Sequence, residues 1–234
     1  VRRVFDLAAD PAAINEHCAT DAALAPLVAR RPGLRVPGAW DGFELAIRAI
    51  LGQQITVGAA RNLAAKLVAT YGEQVDDPVA AGLGLTRAFP TPDRLMGRDI
   101  AALGMPRSRG NALEALARTV AADATIFTPR ADLESAIAAL KALPGVGEWT
   151  AQYIALRELR EPDAFPQGDV ALQRAMATAD GLRPTAAKLL ARAEAWRPWR
   201  AYAAQHLWAG DAAQISTTTA SRGTRTDADE QRAA

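Results

Sequence analysis

Asp169 is the carboxylate whose surroundings point most directly to chemistry. It closes the loop Phe165-Pro-Gln-Gly168 and opens a helical run, 20 residues beyond Trp149. A carboxylate held beside a sugar stabilises the oxocarbenium-like state through which a glycosidic bond breaks. An Asp before a helix is more often only a cap, so both readings stand. Trp149 and Tyr153 are four apart and share a helix face, and Trp208 lies on a later helical run. Aromatic residues at that spacing usually belong to a core. The same π-faces are also what a nucleobase swung out of a duplex would stack on.

These residues are organised around the stretch Leu143-Pro-Gly-Val-Gly147. Upstream, Asp132 to Ala142 sets Leu133, Ile137 and Leu140 on one helical face. Downstream, Glu148 to Leu159 starts a second helix with Trp149, Tyr153 and Leu156 on one stripe. Pro144 stops the first helix. Gly145 and Gly147 are expected to allow positive φ and a close backbone approach, with Val146 as an apolar plug between them. The result is a helix-hairpin-helix whose second helix begins with outward-facing amides, a ready seat for a phosphate. Such a hairpin taken alone fits a structural turn as well as a DNA-backbone grip. No third Gly follows and no strand precedes it, which argues against a dinucleotide-binding loop.

Composition narrows the classes. Half the 234 residues are hydrophobic, and β-branched runs are scarce, which predicts a mainly α protein. Lys and Arg total 27 against 26 Asp and Glu, so binding to nucleic acid would need a local patch. Most of that positive charge is Arg, whose fork suits phosphate. The single cysteine, Cys18, excludes an intrachain disulfide and a four-cysteine iron–sulfur cluster. Two histidines without clustered partners disfavour zinc. No long apolar run or signal peptide is evident, so a soluble cytoplasmic protein is expected, not a membrane protein. The chain starts at Val1 and not Met, as a fragment or trimmed chain would.

Val1 to Leu7 alternates and reads as a leftover edge strand. One or two short helices are expected over 11–30. An amphipathic helix follows over 40–51, interrupted by Gly52-Gln53-Gln54-Ile55, and Thr56 would cap the next helix to Tyr71. Polar amides between two apolar helices are an odd choice for a spacer. Gly104 to Gly110 reads as a basic turn before a helix over 111–122, where Arg107 and Arg109 could touch phosphate or be solvated. Further helices are expected from Pro184 to Ala195 and from Trp199 to Ala209. The divisions are 1–36 as a lead-in, 37–210 as the core and 211–234 as a disordered tail. His17 and Cys18 read as packing or surface residues, His206 as core packing although it could face the pocket, and Trp196 and Trp199 as pins between helices.

The run LPGVGEWTAQYIALRELREPDAFPQGD, with GFELAIRAILGQQITVGAA before it and WRPWRAYAAQHLW after it, resembles the helix-hairpin-helix DNA glycosylase superfamily, in its alkylation-repair branch. The resemblance runs in order from Val1 to about Gly210 and includes Phe89-Pro-Thr-Pro92 and Leu103-Gly-Met-Pro106. It implies two helical subdomains with a cleft between them, and hydrolysis of the N-glycosidic bond of alkylated bases flipped out of double-stranded DNA. It further implies Asp169 as the catalytic carboxylate and Trp149, Tyr153 and Trp208 as the base pocket. Leu143, Pro144, Gly145, Val146 and Gly147 would grip a phosphate. The main-chain carbonyls of Lys141, Leu143 and Val146 would hold a monovalent cation, with no other cofactor. Gln54 matches the wedge that fills the gap left by the flipped nucleotide, where the best-known relatives carry Leu. Members that also nick the strand have a Lys where this chain has Trp149, so hydrolysis by water alone is implied. Relatives carry a β-rich domain before the core, of which only a few residues could remain here. A monomer associated with the nucleoid is expected. Two alternatives stay open: a glycosylase for mispaired or oxidised bases, and a non-catalytic DNA-binding module.

Overall fold

The structure, a computed structural model, describes residues 1–212; the expected tail lies outside the described residues from 213 onward. The fold is mainly helical. In chain order the helices are α1 (Pro11–Cys18), α2 (Ala25–Arg30), α3 (Gly42–Leu51), α4 (Val57–Tyr71), α5 (Pro78–Gly82) and α6 (Pro92–Leu95). They continue with α7 (Arg107–Ala122), α8 (Leu133–Lys141), α9 (Glu148–Ile154), α10 (Val170–Ala175), α11 (Ala186–Ala193) and α12 (residues 200–212). The chain forms two compact units, one of Gly38–Glu161 and one of Val1–Pro37 with the chain from Pro162 on.

In the Gly38–Glu161 unit, α3 is the central helix and packs on α7 and α9. Phe43, Ala46, Ile47 and Ile50 recur at helical spacing and are all buried, together with Leu113 and Leu116 of α7 and Ile154 of α9. Each fully buried Leu or Ile contributes about 2 kcal/mol of transfer free energy, which is what orders these helices. The starts are set locally. Asp41 accepts from the Glu44 amide at 2.7 Å and Thr56 from the Ala59 amide at 3.2 Å, while Asp132 and Ser135 form a reciprocal capping box. Arg107 to Gly110, expected as a turn, is the first turn of α7, with Pro106 at the N-cap position. Proline is tolerated there because first-turn amides lack helical acceptors anyway.

In the other unit, Ile14, Cys18, Leu24, Leu172, Leu189, Trp196 and Leu207 form the core. The Trp196 indole donates to Asp21 at 2.8 Å and packs edge-on against Phe165, while Trp199 packs edge-on against Tyr202. The expected edge strand at Val1 to Leu7 is not formed. Residues 2–8 are a coil of turns, because Asp6 adopts φ 51 and turns its carboxylate inward. There it accepts the Tyr202 hydroxyl at 2.8 Å and the Val36 amide at 3.3 Å. That buried carboxylate, not a sheet, anchors the N-terminus.

Candidate active site and nucleic-acid interface

Asp169 is the N-cap of α10, as its position before a helix suggests, but capping is only part of its role. Its Oδ1 accepts the amides of Ala171 at 2.9 Å and Leu172 at 3.0 Å, and the indole N–H of Trp208 on α12 at 3.0 Å. Three donors on one oxygen fix the direction of the half-buried carboxylate. Ion pairs on either side hold the two elements together. Ahead of Asp169, Arg200 at the start of α12 reaches Asp163, with Nε to Oδ1 at 2.8 Å and Nη2 to Oδ2 at 3.0 Å. Behind it, Arg174 Nε on α10 pairs with Asp211 Oδ1 at 2.6 Å. Asp211 therefore belongs to the end of α12 and not to a disordered tail, because its own carboxylate is buried and paired with Arg174. His206, on the same helix, is buried in the core, as expected from its neighbours.

The hairpin between α8 and α9 has the expected ends and buried plug: Leu143 and Val146 are buried, while Pro144, Gly145 and Gly147 are exposed. Its two glycines differ. Gly145 has φ +75, and a Cβ there would lie 2.6 Å from the Ala112 Cβ, so both conformation and packing require glycine. Gly147 has φ −89, not the expected positive value, and an added Cβ would meet nothing within 4 Å. Gly147 offers no side-chain cap to α9, whose first helical bond runs from the Ala151 amide to the Gly147 carbonyl at 2.9 Å. Across the hairpin, Lys141 Nζ pairs with Glu148 Oε2 at 2.7 Å.

Gln54 stands at the apex of the α3–α4 turn, exposed and at φ 58. A left-handed non-glycine residue costs of order 1 kcal/mol and marks a position that its surroundings hold. Its neighbours hold it in place. Gln53 Nε2 donates to the Gly145 carbonyl and to Thr150 Oγ1, each at 2.9 Å, and Arg109 Nη2 donates to the Gln53 carbonyl at 2.6 Å. Arg109 thus braces the Gln53 main chain. The pair of amides in an apolar setting was the available signal for Gln53; nothing in the sequence marked Thr150.

Trp149 and Tyr153 stack on each other with centroids 5.2 Å apart and planes 8° from parallel. They make one composite face, since no ring fits between planes that close. The Arg157 guanidinium lies 5.6 Å from the Tyr153 centroid. This face lines a groove of about 370 Å³ with Ile55, Val57, Arg48 and Arg61. Among the described residues no group of three or more His, Cys, Asp or Glu could hold a metal, and no helix is long and apolar enough to cross a membrane.

Residues 47–201 match the model of the HhH-GPD superfamily base excision DNA repair proteins, and residues 1–41 that of the AlkA N-terminal domain. The chain belongs to the HhH-GPD superfamily. Within it, the chain is 40% identical to DNA-3-methyladenine glycosylase 2 of Escherichia coli over 209 residues, spanning 88% of this chain and 68% of that one. It is 42% identical over 207 residues to a Mycobacterium tuberculosis protein described as "Probable bifunctional transcriptional activator/DNA repair enzyme AlkA". That match spans 88% of this chain and 41% of the relative's length. The fold is also that of a 3-methyladenine DNA-glycosylase from Archaeoglobus fulgidus, with a TM-score of 0.74, 23% identity, and coverage of 90% of this chain and 72% of that one.

Proposed function

We propose that this chain is a monofunctional DNA glycosylase that hydrolyses the N-glycosidic bond of alkylated bases, of the 3-methyladenine and 7-methylguanine type, flipped out of double-stranded DNA. The observation that carries this reading is the Asp169 carboxylate, aimed by two backbone amides and the Trp208 indole. As the bond to the departing base lengthens, positive charge grows on the sugar, and a carboxylate oriented in advance stabilises it without reorganising. The same group orients or deprotonates the attacking water. The kinship with the E. coli glycosylase supports the alkylated-base class.

Trp149 and Tyr153 supply a stacking surface for the base, and Trp208 is read as a further aromatic contact for it. Arg157 already sits over Tyr153, so part of that ring's attraction for cations is met within the protein. Selection of alkylated purines then rests more on the weakness of their glycosidic bond than on a cation–π grip. A strand-nicking mechanism needs an amine to form a Schiff base, and Trp149 has none. Of the three lysines, Lys141 is paired with Glu148, and Lys66 donates to the Leu103 carbonyl at 3.3 Å.

The hairpin Leu143 to Gly147 grips a phosphate with main-chain amides, and Gln54 fills the gap left in the duplex. The openness around Gly147 supports this, since neither its φ nor its packing explains a missing side chain, whereas approach of a DNA backbone does. The main-chain carbonyls of Lys141, Leu143 and Val146 would supply neutral oxygens of the kind that suits a monovalent cation, which would add positive charge beside the phosphate.

The test is release of free base from methylated duplex DNA, with the product identified by mass. Free 3-methyladenine and 7-methylguanine, from strands left intact until alkali is added, are the expected products. Release confined to oxidised purines, or binding that is lesion-blind with no base released, would refute the reading.

A further inference from the structure

One side chain joins the turn that carries Gln54 to the hairpin 92 residues further on. Gln53 Nε2 donates to the Gly145 carbonyl and to Thr150 Oγ1, both at 2.9 Å. A carbonyl oxygen only accepts, so the amide nitrogen, not its oxygen, faces the hairpin. Thr150 is 2% exposed, and the contact to it is part-buried, whereas the contact to Gly145 is exposed. The main chain of Gln53 is held as well, by Arg109 Nη2 at 2.6 Å from the first turn of α7. A residue tied at both its side chain and its carbonyl leaves the next one little choice of direction, and Gln54 takes up the disfavoured left-handed conformation at φ 58.

We infer that Gln53 is a positioning residue that sets where Gln54 stands relative to the hairpin. The inference rests on the reading of Gln54 as the wedge and of the hairpin as the phosphate grip. If both engage one duplex, the wedge enters the stack at a place fixed by the gripped phosphate, and a small error in that spacing loses the insertion. A contact between two loops far apart in sequence supplies that spacing directly. It also explains why a second amide precedes Gln54, where the periodicity of the apolar helices gives no reason for one.

The experiment uses duplex DNA with 2-aminopurine next to an abasic-site analogue, because emission from 2-aminopurine rises when the stack is opened and no chemistry is required. Gln53→Met keeps the length and removes the donor without adding charge. It is expected to shift the midpoint of the emission titration roughly tenfold to weaker binding, since two hydrogen bonds are lost, the one to Thr150 partly buried. In a Gln54→Ala background the same change is expected to add less than about twofold, because its effect passes through Gln54. Thr150→Val removes one acceptor at constant shape and is expected to give about a threefold shift with the same non-additivity, which keeps the test intact should the Met variant fold poorly. A Gln53→Met protein equal to wild type, or one that loses the same tenfold again without Gln54, overturns the inference and leaves the wedge reading standing. A wild-type protein that binds without raising emission overturns both.

Discussion

The Trp208 indole N–H meets Asp169 Oδ1 at 3.0 Å, across 39 residues of chain. It turns a helix cap into an aimed carboxylate. Two backbone amides alone would fix Asp169 relative to α10; the indole fixes it relative to α12 as well, so the acid and an aromatic ring are placed as one unit. The ion pairs Arg200–Asp163 and Arg174–Asp211 join the same two segments on either side.

Trp208→Phe keeps an aromatic ring and removes the donor. Base release in a single turnover is expected to fall roughly tenfold, the value of one hydrogen bond to a charged acceptor, with lesion-duplex affinity changed far less. Equal losses in rate and affinity would assign the residue to stacking alone.

The two hairpin glycines are expected to separate stability from binding. Gly145→Ala forces a Cβ into Ala112 at a positive φ and should lower stability by about 2 kcal/mol in thermal or urea unfolding. The Cβ of Gly147→Val meets no atom within 4 Å outside the adjoining residues, so this variant should melt like wild type. Its DNA affinity is expected to fall about tenfold whatever the sequence, read by a binding titration at fixed moderate salt.

Much of this was legible in the sequence, and the reasons differ by residue. The helix before the hairpin is readable because Leu133, Ile137 and Leu140 recur at helical spacing, and α4 because its cap, Thr56, is a local signal. The direction of Asp169 was not, because it depends on Trp208 and on pairs such as Arg174 with Asp211 that close only when distant segments pack. The N-terminal turn was misread as a strand for the same reason: alternation over seven residues says nothing of Tyr202 and Val36, which draw the Asp6 carboxylate inward. Glycine at 147 permits a positive φ without requiring one, and only Gly145 of the two faces a crowded turn.

Arg200 is 4% exposed and braces Asp163. Arg200→Met removes the buried partner of that carboxylate but leaves it paired with Arg197, and a loss of about 2 kcal/mol is expected in equilibrium unfolding. Because the pair holds the segment leading to Asp169, base release should fall as well, and the melting curve and the rate should move together.

His206 gives the protein a pH dependence of defined sign. Burial first, and then the charge of Arg31, lower its pKa from 6.5, so the folded imidazole stays neutral where an unfolded one takes up a proton. Its stabilising contribution is complete above pH 6.5 and is lost as pH falls below that value, by at most about 1.4 kcal/mol per pH unit. His206→Leu is expected to flatten this part of the stability profile, measured by urea unfolding between pH 7 and pH 5. An unchanged slope would place the acid sensitivity elsewhere.

The most direct measurement is single-turnover release of 3-methyladenine from duplex DNA by Asp169→Asn. Asn caps a helix as well as Asp does and keeps an oxygen for Ala171, Leu172 and Trp208, so melting and lesion-duplex affinity should remain close to wild type. Without the negative charge, release is expected to slow by about 100-fold or more. Release at the wild-type rate by the well-folded variant would contradict the role of Asp169 and the glycosylase mechanism built on it.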